Sequence, residues 1–148
     1  EKTGGGRILG EAIHFVDVIQ YLDGSTLEEV SVAFAQNDAY PMKDNAIITL
    51  CFASGAIGNI VYTSMGSKRY PKEQLRVFSN GTVYELDNYI RLSHYGSAKR
   101  TTTKLKQDKG IRDEYVHISD VINGKVMNSC VGDAFVSHKL LIEAIRNG

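Results

Sequence analysis

Between Ile8 and Leu22 the apolar positions Ile8, Ala12, Phe15, Ile19 and Leu22 recur at three- and four-residue intervals, and Gly24 stands where a helix carrying that stripe would stop. The spacing predicts a helix whose core face those five residues form. From Leu27 the period falls to two, first in Val30, Val32 and Phe34, then in Ile48, Leu50 and Phe52, then in Ile57, Asn59, Val61 and Thr63. Alternation of that kind predicts strands with one buried face. Ser54-Gly55 separates the second run from the third. Asn80-Gly81 separates Leu75–Ser79 from Thr82–Leu86, and that dipeptide favours a tight hairpin because both residues accept positive φ. The sheet should therefore be largely antiparallel. Asp87-Asn88 is a further turn candidate, after which Tyr89–Ser93 and Thr101–Lys106 can extend the same sheet.

Helical spacing returns in Ile111, Tyr115, Ile118 and Ile122, closed by Gly124, and again in Val136, Leu140 and Ala144, closed by Gly148. A helix, a run of strands and closing helices make an α+β fold rather than an alternating βαβ one. Helices on one face of an open sheet leave the other face to be explained. Tyr62, Val77 and Tyr84 could make it adhesive enough to pair with another subunit. No internal repeat and no Pro/Gly-rich linker interrupts the chain after Gly24, so residues 1–148 read as a single domain.

Composition narrows the partners more than the fold. With 43% apolar and 23% charged residues the chain is an ordinary globular one, neither disordered nor fibrous. At 148 residues it is long enough for one core, burying about two thirds of the surface its unfolded form exposes. Seventeen basic residues balance seventeen acidic ones, which leaves no net field to attract nucleic acid or an anionic membrane. No apolar run reaches the roughly 18 residues of a membrane span, and Glu1 to Gly6 does not resemble a signal peptide, so the expected location is cytoplasmic. Cys51 and Cys130 lie far apart and outside any CxxC pair, which predicts two reduced, mostly buried thiols.

Candidate chemistry gathers on the first helix. On a helical wheel His14 sits away from the apolar stripe, among Gly10, Glu11, Asp17 and Tyr21. An imidazole flanked at i−3 and i+3 by carboxylates can be kept in one tautomer and basic near neutral pH, as a proton acceptor requires. A solvated or packed histidine beside two surface acids is the plainer account, and the residues alone leave both open. A metal site would need further ligands, and His94, His117 and His138 show no supporting spacing, so no metal is expected. Gly4, Gly5, Gly6 and Gly10 fit no phosphate-loop pattern and read as a flexible approach to the helix. Asn80-Gly81-Thr82 matches a glycosylation acceptor formally, but the hairpin explains it more simply.

The stretch Gly4-Gly5-Gly6-Arg7-Ile8-Leu9-Gly10-Glu11-Ala12-Ile13-His14-Phe15-Val16-Asp17 resembles the GGG…H-x-x-D signature opening the C-terminal domain of the glucose–fructose oxidoreductase/inositol dehydrogenase/rhizopine catabolism (Gfo/Idh/MocA) family. Val77–Thr82 resembles a hairpin of the same family, and the element order agrees over essentially the whole chain. The resemblance implies an open sheet that builds homo-oligomers, and a preceding Rossmann domain that binds NAD or NADP. It implies an oxidoreductase acting on a sugar, nucleotide sugar or cyclic polyol, of which this chain supplies substrate contacts and is inactive alone.

Residue by residue, the resemblance puts His14 on the family's catalytic histidine and Asp17 on an acid that touches substrate hydroxyls. Arg7 lies within the signature as a candidate substrate contact. Tyr70 falls about one residue from a position where some members place a substrate-binding tyrosine. Glu1-Lys2 is not the family's Glu-Lys-Pro segment, which lies far upstream of the glycine run. Gly10 stands where the family commonly has an aspartate, and Glu11, one place later, is the candidate substitute. The departure supports the alternative of a non-catalytic sensor or scaffold of the same fold; a third reading, an independent α+β ligand-binding module, is favoured only if no Rossmann sequence precedes Glu1.

Overall fold

The computed structural model describes residues 6–35, 44–127 and 131–147, with the side chains of 131–133 left aside. Gly4, Gly5 and Cys130, singled out above, lie outside the described residues. The described residues form an α+β fold: a π-helical turn (Ile8–Ala12) leads into α1 (Ile13–Asp23), followed by β1 (Leu27–Phe34), β2 (Ala46–Phe52) and β3 (Ile57–Tyr62). The order continues with β4 (Gln74–Ser79), β5 (Thr82–Asp87), β6 (Arg91–Tyr95), β7 (Lys99–Thr103), α2 (Ile111–Ile122) and α3 (Val131–Asn147). All strand pairings are antiparallel. The expected single sheet is two sheets, ordered β1-β2-β3 and β4-β5-β6-β7. Two compact units result, Glu1–Met65 with Asn128–Gly148, and Gly66–Met127. Neither Met65 nor Met127 carries a linker-like composition, so the sequence does not announce this division.

The first unit holds the core. Ile8, Ala12, Ile13 and Val16 from the first helix and Leu141 from α3 pack on Leu27, Ala46, Ile48, Leu50, Phe52 and Ile60 of the sheet. Of the expected stripe on the first helix, Ile8 and Ala12 are buried and Phe15 and Ile19 pack partly buried against the core, but Leu22 is 52% exposed, and Ile13 and Val16 join the buried set. A π turn holds more residues per turn than an α-helix, so it rotates every later side chain relative to an unbroken α-helical wheel. On α3, Ser137 and Leu141 take the buried positions and Val136 is exposed.

The strand β3 corrects the alternation in phase. Ile57 and Val61 are exposed, at 68% and 71%, while Gly58 and Ile60 are buried and Tyr62 is half-buried. The cause lies at Gly58, where a Cβ would stand 2.8 Å from Cγ2 of Ile19. Only a glycine lets α1 approach the strand this closely. Tyr62 therefore points to the helix-covered side, and the uncovered side carries the paired row Ala33–Ile47–Val61.

In α1, Gly24 at φ 76° closes the helix and donates to the carbonyl of Gln20 at 2.9 Å. Asp23 then accepts from the backbone N–H of Ser25 at 3.1 Å, from its hydroxyl, and from the Ser54 hydroxyl at 2.8 Å. These bonds tie the helix end to the β2–β3 turn and hold the Asp23 carboxylate below its ordinary range, the Ser25 hydroxyl contributing most.

The second unit is a four-stranded meander followed by α2. Asn80 (φ 49°) and Gly81 (φ 73°) make the expected β4–β5 hairpin, and Asn88 and Tyr89, also at positive φ, turn β5 into β6. Val77, Tyr84 and His94 are successive cross-strand partners, and the Tyr84 and His94 rings lie 5.1 Å apart. The apolar face expected of α2 is present in sequence, but none of its residues is buried. Among the described residues no helix is long and apolar enough to cross a membrane.

Candidate functional site

The π-helical turn ends at Ala12, two residues before His14. Its defining bond runs from the backbone N–H of Ile13 to the carbonyl of Ile8, five residues back. Such turns are rare and concentrate at functional positions, because an added residue re-aims the side chains around it. Ile8 and Ala12 hold the inner side of this turn in the core. Glu11, on its outer side, is held through both carboxylate oxygens: Nε of Arg7 donates to Oε1 at 3.2 Å, and the hydroxyl of Tyr62 donates to Oε2 at 2.6 Å. Burial and the adjoining carboxylate push the Tyr62 phenol up to about 12, so it remains a donor throughout the neutral range. Glu11 likewise raises Arg7 above its ordinary value.

One turn on, His14 is exposed and Asp17 is half-buried. Burial raises the Asp17 carboxyl above its ordinary value, and the charges of His138 and His14 oppose that rise. His138 comes from α3, where Nδ1 lies 2.8 Å from the carbonyl of Ala134. If Nδ1 donates that bond, Nε2 is left as the acceptor nitrogen of the neutral ring. The buried Ser137 hydroxyl, beside His138, donates to the side-chain carbonyl of Gln20, which fastens α3 to α1 one turn beyond Asp17.

Of the sequence candidates, the fold joins Arg7 to Glu11 and places Asp17 within the fields of His14 and His138. Tyr70 belongs to the second unit, where its hydroxyl donates to Gln74 at 3.3 Å. Sequence reasoning missed Tyr62 and His138 as members of this neighbourhood. The first was hidden by the inverted phase of β3, and the second comes from a helix more than a hundred positions away.

Among the described residues no group of three His, Cys, Asp or Glu side chains is arranged to hold a metal ion. A dinucleotide-binding crossover needs parallel strands joined through a helix, whereas the strands described here pair only in antiparallel fashion. Among the described residues there is no such crossover.

Residues 1–84 match the family model of the GFO/IDH/MocA C-terminal domain. The chain belongs to this family. As a GFO/IDH/MocA C-terminal domain it carries the π turn, His14, Asp17 and Tyr62 inside the matched region, while His138 lies beyond it. No curated protein matches it significantly.

Solved structures share its fold. A dehydrogenase (MviM) from Clostridium difficile superposes with a TM-score of 0.76 at 18% identity, covering 97% of this chain and 48% of its own. UDP-N-acetylglucosamine 3-dehydrogenase GnnA from Acidithiobacillus ferrooxidans gives 0.68 at 19% identity, covering 90% and 43%. The WlbA dehydrogenase from Bordetella pertussis, in complex with NADH and UDP-GlcNAcA, gives 0.54 at 20% identity, covering 95% and 41%. The chain thus spans less than half the length of each.

Proposed function

We propose that this domain is the substrate-facing part of an NAD(P)-dependent oxidoreductase acting on a sugar, nucleotide sugar or cyclic polyol, with His14 as the group that accepts or returns the hydroxyl proton. The observation that carries the reading is an exposed imidazole two residues after a π turn, beside a half-buried carboxylate, in a GFO/IDH/MocA domain. The nicotinamide, held by a Rossmann domain outside this sequence, supplies the hydride chemistry when bound. His14 exchanges the proton, Asp17 and Arg7 contact substrate hydroxyls, and Glu11 supports the imidazole electrostatically from the preceding turn. Tyr70 is a further candidate substrate contact. Dehydrogenase neighbours whose names include UDP-sugars and NADH support the substrate class and the cofactor. The uncovered side of the three-stranded sheet, with Ile47, Ile57 and Val61 exposed, is the proposed surface for homo-oligomers.

A non-catalytic sensor or scaffold is the second reading, and Gly10 favours it. A Cβ there would meet nothing within 4 Å, so the aspartate common at that place in the family would fit but is missing. The test is nicotinamide-dependent turnover by the full-length protein on a panel of sugars, polyols and nucleotide sugars. His14→Ala should reduce turnover about 10²–10⁴-fold. Wild-type activity in that variant would remove His14 from the chemistry, and no turnover by the parent on any substrate would favour the sensor.

A further inference from the structure

We propose that Tyr62 is a positioning residue of this site: from β3 it fixes the Glu11 carboxylate jointly with Arg7, and thereby holds the π turn so that the imidazole of His14, one turn later, keeps its working orientation. The inference rests on the reading of His14 as the acid–base group. Three features of the geometry carry it. First, the Tyr62 hydroxyl reaches Glu11 across 51 residues of sequence at 2.6 Å, so it joins the turn to the sheet and not to its own helix. A short hydroxyl–carboxylate bond of this kind is charge-assisted and stronger than a neutral one. Second, the Arg7 pair is a poor anchor by itself. Arg7 is four residues from Glu11 on the same helical segment, both side chains are substantially exposed, and such a pair restrains little. Third, Gly10 offers the turn no side chain, and a Cβ there would face open space, whereas Glu11 beside it ties the outer side of the turn to the strand.

Among the described residues the charges acting at the clamp are Arg7, Glu11 and Asp44, the last acting on both Arg7 and Tyr62. Asp17, three residues beyond His14, lies within the fields of both His14 and His138. With Tyr62 and Arg7 engaged, Glu11 is restrained where the turn leaves it. Without the hydroxyl, the carboxylate charge is no longer shared with that donor, and its field at the imidazole three residues on favours the protonated form, which moves the histidine limb of the pH profile to higher pH.

The experiment is a double-mutant cycle on the full-length dehydrogenase, comparing wild type, Tyr62→Phe, Glu11→Gln and the double variant. Phenylalanine keeps the ring in its place and removes only the donor. Tyr62→Phe should lower kcat roughly tenfold with little change in KM, and should move the histidine limb of kcat/KM upward in pH. In the Glu11→Gln background the same substitution should add almost nothing, because the partner charge is already gone. Equal losses in both backgrounds, or an unchanged limb in Tyr62→Phe, would overturn the proposal.

Should Tyr62→Phe fail to fold, carbon-13 labelled tyrosine in Glu11→Gln answers instead. The Tyr62 ring should titrate at lower pH than in wild type, and an unmoved titration overturns the clamp. Failure of the underlying reading looks different: His14→Ala would then keep full turnover whatever Tyr62 does.

Discussion

Asp17, proposed above as a substrate contact, carries a cost in stability. Its carboxyl is raised above the ordinary value because burial penalises the charge more than His138 and His14 repay it. A raised folded-state value means the folded form prefers the proton, so this contribution is favourable at acid pH and is lost as pH rises through the folded value. Asp17→Asn should therefore leave the unfolding midpoint unchanged or higher near neutral pH, with the gain fading on acidification, while the Michaelis constant for the polyhydroxyl substrate rises. Thermal unfolding at several pH values and steady-state kinetics check the two halves. A lower midpoint at neutral pH would mean that the imidazole attractions outweigh burial. At this scale spacing on one helix made His14, Glu11 and Asp17 visible as candidates, and the signature added Arg7. The sequence could not reveal Tyr62 or His138, which reach the same neighbourhood only through β3 and α3.

At the scale of elements, close approach and capping decide more than propensity. Gly58 allows α1 to lie against β3, and Ile19, branched at Cβ, has little freedom to move aside. Gly58→Ala should cost about 1–3 kcal/mol of stability by overpacking, measurable by chemical denaturation; a neutral outcome would show that α1 can shift outward. The end of α1 offers a pH-dependent test. Asp23 is lowered by the bonds it accepts from Ser25 and Ser54, so its stabilising effect is present above the ordinary carboxylate value and is lost as pH falls through the folded value. Asp23→Ala should lower the unfolding midpoint at neutral pH, and the difference from wild type should close at strongly acid pH. A gap that persists there would assign the effect to something other than the carboxylate. Helices, strands and the Asn80-Gly81 hairpin were legible because period and turn chemistry are local. The phase of β3 was not, since the apolar residues Ile57 and Val61 satisfy alternation equally well on either side and only Gly58 against Ile19 selects one.

For the whole molecule, the uncovered side of the three-stranded sheet is the feature with the clearest consequence. Ala33, Ile47 and Val61 are cross-strand partners in one row, and Ile57 lies on the same side. Exposed apolar rows on an open sheet favour association. Replacing Ile47 and Val61 together by lysine should lower the assembly state of the full-length protein in sedimentation while leaving its secondary structure intact. An unchanged assembly state would move the interface elsewhere.

The sequence by itself determined the α+β class, the antiparallel pairing, the turn positions and the family signature around His14, because each depends on local period, turn residues or a contiguous motif. Tertiary structure alone decided the division into two sheets, the side on which Tyr62 lies, the exposure of α2 and the arrival of His138 within electrostatic reach of Asp17. Those outcomes depend on which surfaces meet across long stretches of chain, and periodicity records that a face is apolar without recording what covers it.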